Sequence, residues 1–80
     1  DEARQPRLHS LVLNPGAWGI GRSIAEIDLE RFGVAVTAIR RRGIRAISPA
    51  PEARFEAGDV VVLMGVPDAL AAGENRLLQG

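Results

Sequence analysis

Apolar residues fall along the chain in short blocks of two different periods, parted by glycine, proline or charge. The first block, LHSLVL at 8–13, alternates apolar and polar at its start, as a strand does with one face on a core. NPGAWGIG follows, a turn-rich connection with Pro15 and glycines at 16, 19 and 21. A helical period then predicts a short helix over about 24–31, stopped near Gly33. Ser23 and Glu26 stand at capping-box spacing. In that motif the Ser hydroxyl accepts the N–H of the third helical residue, and the Glu carboxylate accepts the Ser N–H.

The second half of the chain switches to strand signals. VAVTAIR at 34–40 is β-branched and apolar on both faces, which suits an interior strand. RRG at 41–43 predicts a tight turn, and IRAIS at 44–48 returns as its hairpin partner until Pro49 and Pro51 end it. After the Gly58–Asp59 turn signal, VVVLM at 60–64 is a continuous apolar run that predicts a strand buried on both faces. Pro67 opens a last helix, with Asp68 at the positive end of its dipole. Leu70, Ala71, Glu74, Leu77 and Leu78 give that helix one apolar stripe and one wet face. The order β-α-β-β-β-α predicts an α+β fold, two helices over a four-stranded, mostly antiparallel sheet. The polar start, DEARQPR, makes 1–7 a linker and 8–80 the domain.

Composition narrows the function. Eighty residues bury only about 60% of their unfolded surface, so stability is marginal without help. With no cysteine and one histidine, neither disulfides nor the usual zinc sites supply it. Association with a second copy or a parent chain is then the expected support, and the chain reads as a fragment of something larger. Ten basic and ten acidic residues cancel, from which no nucleic-acid partner is expected. The longest apolar run, VVVLMGV at 60–66, is far short of the roughly 20 residues of a membrane span. No direct membrane insertion is expected.

Taken together, GRSIAEIDLERFGVAVTAIRR, ISPAP and FEAGDVVVLMGVPDAL resemble the C-terminal domain of RCK proteins, the TrkA-C domain, over about Leu8 to Leu78. The resemblance implies a cytoplasmic regulatory module attached to bacterial potassium channels, potassium uptake systems or cation:proton antiporters. It also implies a homodimer, in some members with a small ligand in the cleft between protomers. RLHSLVLNPGAWGIGRS and RRRGIR look most like the tail of a Kef-type monovalent cation:proton antiporter, at the cytoplasmic face of the inner membrane. Members that bind cyclic dinucleotides tend to carry an Asp-x-Arg and an Asn before the second strand. Here Asp28-Leu29-Glu30 and Ala35 depart from that pattern.

Four residues are the candidate ligand contacts: Asp28, Arg40, Arg42 and Arg45. Asp28 falls inside the apolar arc of Ile24, Ala25, Leu29 and Phe32 at helical spacing. A lone buried carboxylate is costly, so an early helix end should expose it, or an arginine or backbone N–H should bind it. Asp28→Asn is expected to lower stability by ~1–3 kcal/mol. The arginines gather around the hairpin turn and could meet a phosphate or an acidic surface. Their blander reading is a solvated turn that discourages edge pairing. Gly19-Ile20-Gly21 invites a phosphate-loop reading, but Ile24 stands where a third glycine belongs, and the capping box uses the N–H groups. Trp18 is expected to cover a sheet end, and His9 to be an exposed strand residue.

No serine, cysteine or carboxylate constellation suggests an enzyme. The favoured reading is a ligand-sensing, dimerising regulatory domain of a potassium or cation transport protein. No cofactor or metal is expected beyond a nucleotide or other small anionic ligand. The alternative is a ligand-free structural dimerisation or docking domain.

Overall fold

The computed structural model describes residues 4–80; of the linker expected at 1–7, residues 1–3 lie outside the described residues. The elements are β1 (Arg7–Val12), α1 (Ile24–Ile27), a 3-10 helix (Leu29–Phe32), β2 (Ala35–Arg41), β3 (Arg45–Ile47), β4 (Val60–Gly65) and α2 (Pro67–Gln79). The strands form one sheet in the order β1-β4-β2-β3, and every neighbouring pair is antiparallel. The expected α+β order is therefore the observed one.

Strand parity assigns the two faces. Leu11, Val61 and Ile39 lie opposite one another across β1, β4 and β2, and all three are buried under the helices. Phe55, Ile27, Leu29, Val34, Leu70 and Leu77 complete much of that core. The residues between them face the other way. Leu8, Val12 and Met64 are 68%, 50% and 42% exposed. VVVLM was expected to be buried on both faces, but only Val61 and Leu63 are, because both helices lie on one side of the sheet.

The first helix is shorter than its pattern. It ends after Ile27, where Asp28 turns left-handed at φ 55°, and the chain continues as a 3-10 turn to Gly33 at φ 81°. The capping box forms as expected: Glu26 N–H donates to Ser23 Oγ at 3.1 Å, and Ser23 N–H to Glu26 Oε1 at 3.2 Å. In α2 the buried stripe is Leu70, Gly73 and Leu77, while Ala71 is exposed. Gly73 lies so close to Val34 that a Cβ there would stand 3.1 Å from a Val34 methyl. His9 does not simply face solvent. It shares the helix face with Leu63 and meets Glu74 of α2 at 2.5 Å.

Candidate functional site

The glycine loop contains no phosphate cradle. Trp18 and Gly19 donate their N–H groups to Leu78 and Leu77 carbonyls at 3.1 and 2.8 Å, and Gly21 donates to Phe55 at 2.8 Å. At the helix start, Ile24 and Ala25 donate to Ala53 and Pro51 carbonyls at 3.0 and 2.9 Å. A phosphate binds such a loop through free N–H groups, and these are spent on closing the fold. Gly19 is there for close approach: a Cβ would stand 3.0 Å from Leu77.

The same bonds to Pro51 and Ala53 hold the proline segment against α1 and open a cleft of about 360 Å³ beside it. Ile24, Asp28, Leu29, Val36, Pro49 and Pro51 are among its walls, and its charged lining is Asp28 and Glu30. A second hollow of about 310 Å³ shares Glu30, Val34 and Ala35 and runs on to Met64 and Gly65. Because α1 ends early, Asp28 is exposed at the cleft, with no side-chain hydrogen bond capping the 3-10 turn. Of its two expected fates the first holds, and the loss expected for Asp28→Asn loses its basis.

The arginines lie elsewhere. Arg40 is exposed on the open face of the sheet between Val60 and Ala46. Arg42 sits in the turn at φ 56°, and Arg45 is exposed opposite Arg41. None of the three lines the Asp28 cleft. Alternation would put Arg40 and Arg42 on one face if the strand reached that far, but β2 ends at Arg41 and leaves Arg42 in the turn.

Of the arginines around the hairpin, the one that the fold uses is Arg41. Its Nε and Nη2 donate to the two oxygens of Asp59 at 2.9 and 3.0 Å, its second Nη2 bond goes to the Arg54 carbonyl at 2.9 Å, and Nη1 meets Glu56 at 3.0 Å. The Asp59 carboxylate, bonded directly, raises the Arg41 pKa further above its already high value. Sequence reading missed this pair, although a signal was present. Alternation from Ile39 puts Arg41 on the core side, and Asp59 stands just before the buried strand.

Among the described residues, no three acidic or histidine side chains gather as metal ligands, and no helix is long and apolar enough to cross a membrane. Sheet and helices together form a small two-layer α+β domain with a cleft at its side. The TrkA-C domain model matches residues 8–78, and the chain belongs to that family.

The chain is 32% identical over 77 residues to the transporter RB4869 of Rhodopirellula baltica, covering 95% of this chain but only 14% of that protein. BusR of S. agalactiae in complex with its busAB-promotor DNA matches with a TM-score of 0.75 at 25% identity, over 88% of this chain and 35% of that one. The RCK_C domain dimer of BusR with c-di-AMP gives 0.75 and 25%, over 88% and 93%. The RCK C domain of the potassium transport protein KtrA, in complex with cyclic diadenosine monophosphate, gives 0.75 and 26%, over 89% and 82%.

One expectation falls here. Charge balance was taken to exclude nucleic acid, yet a relative is solved on promoter DNA. Balanced charge over 80 residues describes this module alone, and any part of a longer chain can supply the contacts that neutralise phosphates.

Proposed function

We propose that this chain is the ligand-sensing and dimerising regulatory domain of a bacterial cation-transport protein, with a Kef-type monovalent cation:proton antiporter as the parent. The observation that carries it is the family match over residues 8–78 joined to a transporter relative that spans nearly the whole chain. The parent places the domain at the cytoplasmic face of the inner membrane. Its role is regulation rather than catalysis. A ligand that binds one dimer arrangement more tightly shifts the population toward it, and the attached carrier follows.

Asp28 is the proposed ligand contact in the cleft. BusR and KtrA domains hold a cyclic dinucleotide, and a nucleotide is the ligand class we favour here. Asp28 and Glu30 repel phosphates, so a nucleotide would turn its base or sugar donors toward them. Arg40, Arg42 and Arg45 would meet its phosphates only in a dimer that brings the partner's hairpin over the cleft. The acidic lining is also what favours the second reading, a ligand-free dimerisation or docking domain of a potassium channel or uptake system.

A thermal-shift panel of cyclic di-AMP, ATP, K+, Na+ and Mg2+ separates the two. A ligand at 100 times its Kd adds about 2.7 kcal/mol, and Asp28→Asn should abolish the shift. No shift with any of them leaves the scaffold reading.

A further inference from the structure

A second charged site lies where the loop between β1 and α1 meets the end of α2. It shares no residue with the Asp28 cleft. Trp18 is half-buried there, its backbone bonded to the last turn of α2. Two guanidiniums lie over its ring, with Arg22 Cζ 4.0 Å and Arg76 Cζ 4.3 Å from the centroid. Arg76 Nε donates to the Ile27 carbonyl at 3.1 Å, which fixes that side chain between the two helices. Arg22 Nε is buried and has no acceptor. Among the described residues, carboxylates pair with His9, Arg41 and Arg54, and neither Arg22 nor Arg76 meets one.

Part of this has an ordinary cause. The negative face of an indole attracts cations, and cations are favoured at a helix C-terminus. That accounts for two positive charges near the ring. It does not account for an Nε–H left without an acceptor, which carries its full desolvation cost. Drawing the Arg22 fork outward onto a bound oxyanion would satisfy Nε and Nη together, the bidentate geometry in which guanidinium is strongest. Among the described residues neither guanidinium is paired with a carboxylate, and a phosphate offers the two of them more charge and more oxygens than a carboxylate would. Arg76, stacked on Trp18 and tied to the Ile27 carbonyl, is ordered beforehand, which lowers the entropy lost when Arg22 swings onto the ion.

We propose that Arg22 and Arg76, stacked on Trp18, form a binding site for a phosphate-type oxyanion, either free or carried by a lipid headgroup. The chain supplies its own reporter, because Trp18 is its only tryptophan. Indole emission responds to a cation leaving its face, so intrinsic fluorescence follows occupancy. The titrations use inorganic phosphate and pyrophosphate against chloride at equal ionic strength, and vesicles of phosphatidylglycerol against phosphatidylcholine.

A saturable change with phosphate or pyrophosphate identifies a soluble ligand, and one confined to phosphatidylglycerol vesicles identifies a headgroup. In either case Arg22→Gln and Arg76→Gln should each weaken binding by about tenfold or more. Arg42→Gln, in the distant turn, should leave it unchanged. Thermal melts confirm that each variant is folded, and 15N shifts of the Arg22 Nε–H in the intact protein report binding independently of fluorescence. No saturation with any of these probes, or equal affinity in the Arg22→Gln, Arg76→Gln double variant, overturns the proposal.

Discussion

Asp59 is wholly buried, and its oxygens accept from Arg41 Nε, Arg41 Nη2 and the Glu56 N–H, the last at 2.9 Å. Removing one partner of such a pair strands the other's charge, which costs about 3–5 kcal/mol. That is much of the total stability of a small domain, about 5–15 kcal/mol. Arg41→Gln should therefore lower the urea midpoint drastically or unfold the chain, whereas Arg40→Gln, exposed one residue away, should shift stability by no more than about 0.5 kcal/mol. Equal effects would refute the assignment. Asp28 has the opposite character. It is exposed in the left-handed region, which Asn also tolerates. Asp28→Asn should stay within about 0.5 kcal/mol of wild type, and Asp28→Val should cost about 1–2 kcal/mol for its branched Cβ, both by urea denaturation. The candidate site was only half legible at this scale. Asp28 stood out as an acid on an apolar arc and does line the cleft. Arg41 was one of three adjacent arginines, and its partner is 18 residues away. Pairing at that separation follows from the register of β2 on β4, which a local pattern does not contain.

At the scale of elements, what was written locally was readable and what tertiary packing imposed was not. The capping box was visible as Ser23 and Glu26, and the strands as alternating or β-branched runs. The break of the first helix after four residues was hidden, because a 3-10 turn continues much the same apolar arc. The cap itself is pH-sensitive. The Ser23 N–H above all, then the Ser23 hydroxyl and Arg54, hold the Glu26 carboxyl below its ordinary 4.5. A lowered carboxyl pKa stabilises the fold fully above the unfolded value and loses that contribution as pH falls through the folded one. Wild type should therefore exceed Glu26→Gln in stability at neutral pH, with the gap closing as pH falls below 4.5. Gln keeps the box without titrating, so an unchanged gap in acid denaturation curves would sink this account. In α2, Gly73→Ala sets a helix-propensity gain of about 1 kcal/mol against an overpacking cost of about 1–3. The contact is with Val34, itself 2% exposed and stiff at its Cβ, so a net loss of stability is expected. A Val34→Ala background should restore the gain in a double-mutant cycle.

For the whole molecule, the governing fact is a sheet covered on one face. Both helices pack on the side of Val61 and Leu63, while Leu8, Val12 and Met64 face away from them. The block pattern showed that the chain had a core but not that the core was one-sided, since VVVLM looks the same whether one or two layers cover it. A small domain that leaves apolar sheet surface in water gains by associating, and the BusR relative is solved as an RCK_C dimer. If this chain also folds as a dimer, mass action ties its stability to concentration. A tenfold rise in protein concentration contributes about 1.4 kcal/mol per dimer, or about 0.7 per protomer, which for a chain of this size raises the Tm by about 3–6 °C. Melts from 1 to 100 μM, with sedimentation equilibrium at the same concentrations, should show that rise together with a mass twice the 8.5 kDa of one chain. A flat Tm with a monomer mass throughout would mean that 80 residues and one covered sheet face are enough, and that this chain needs no second copy to fold.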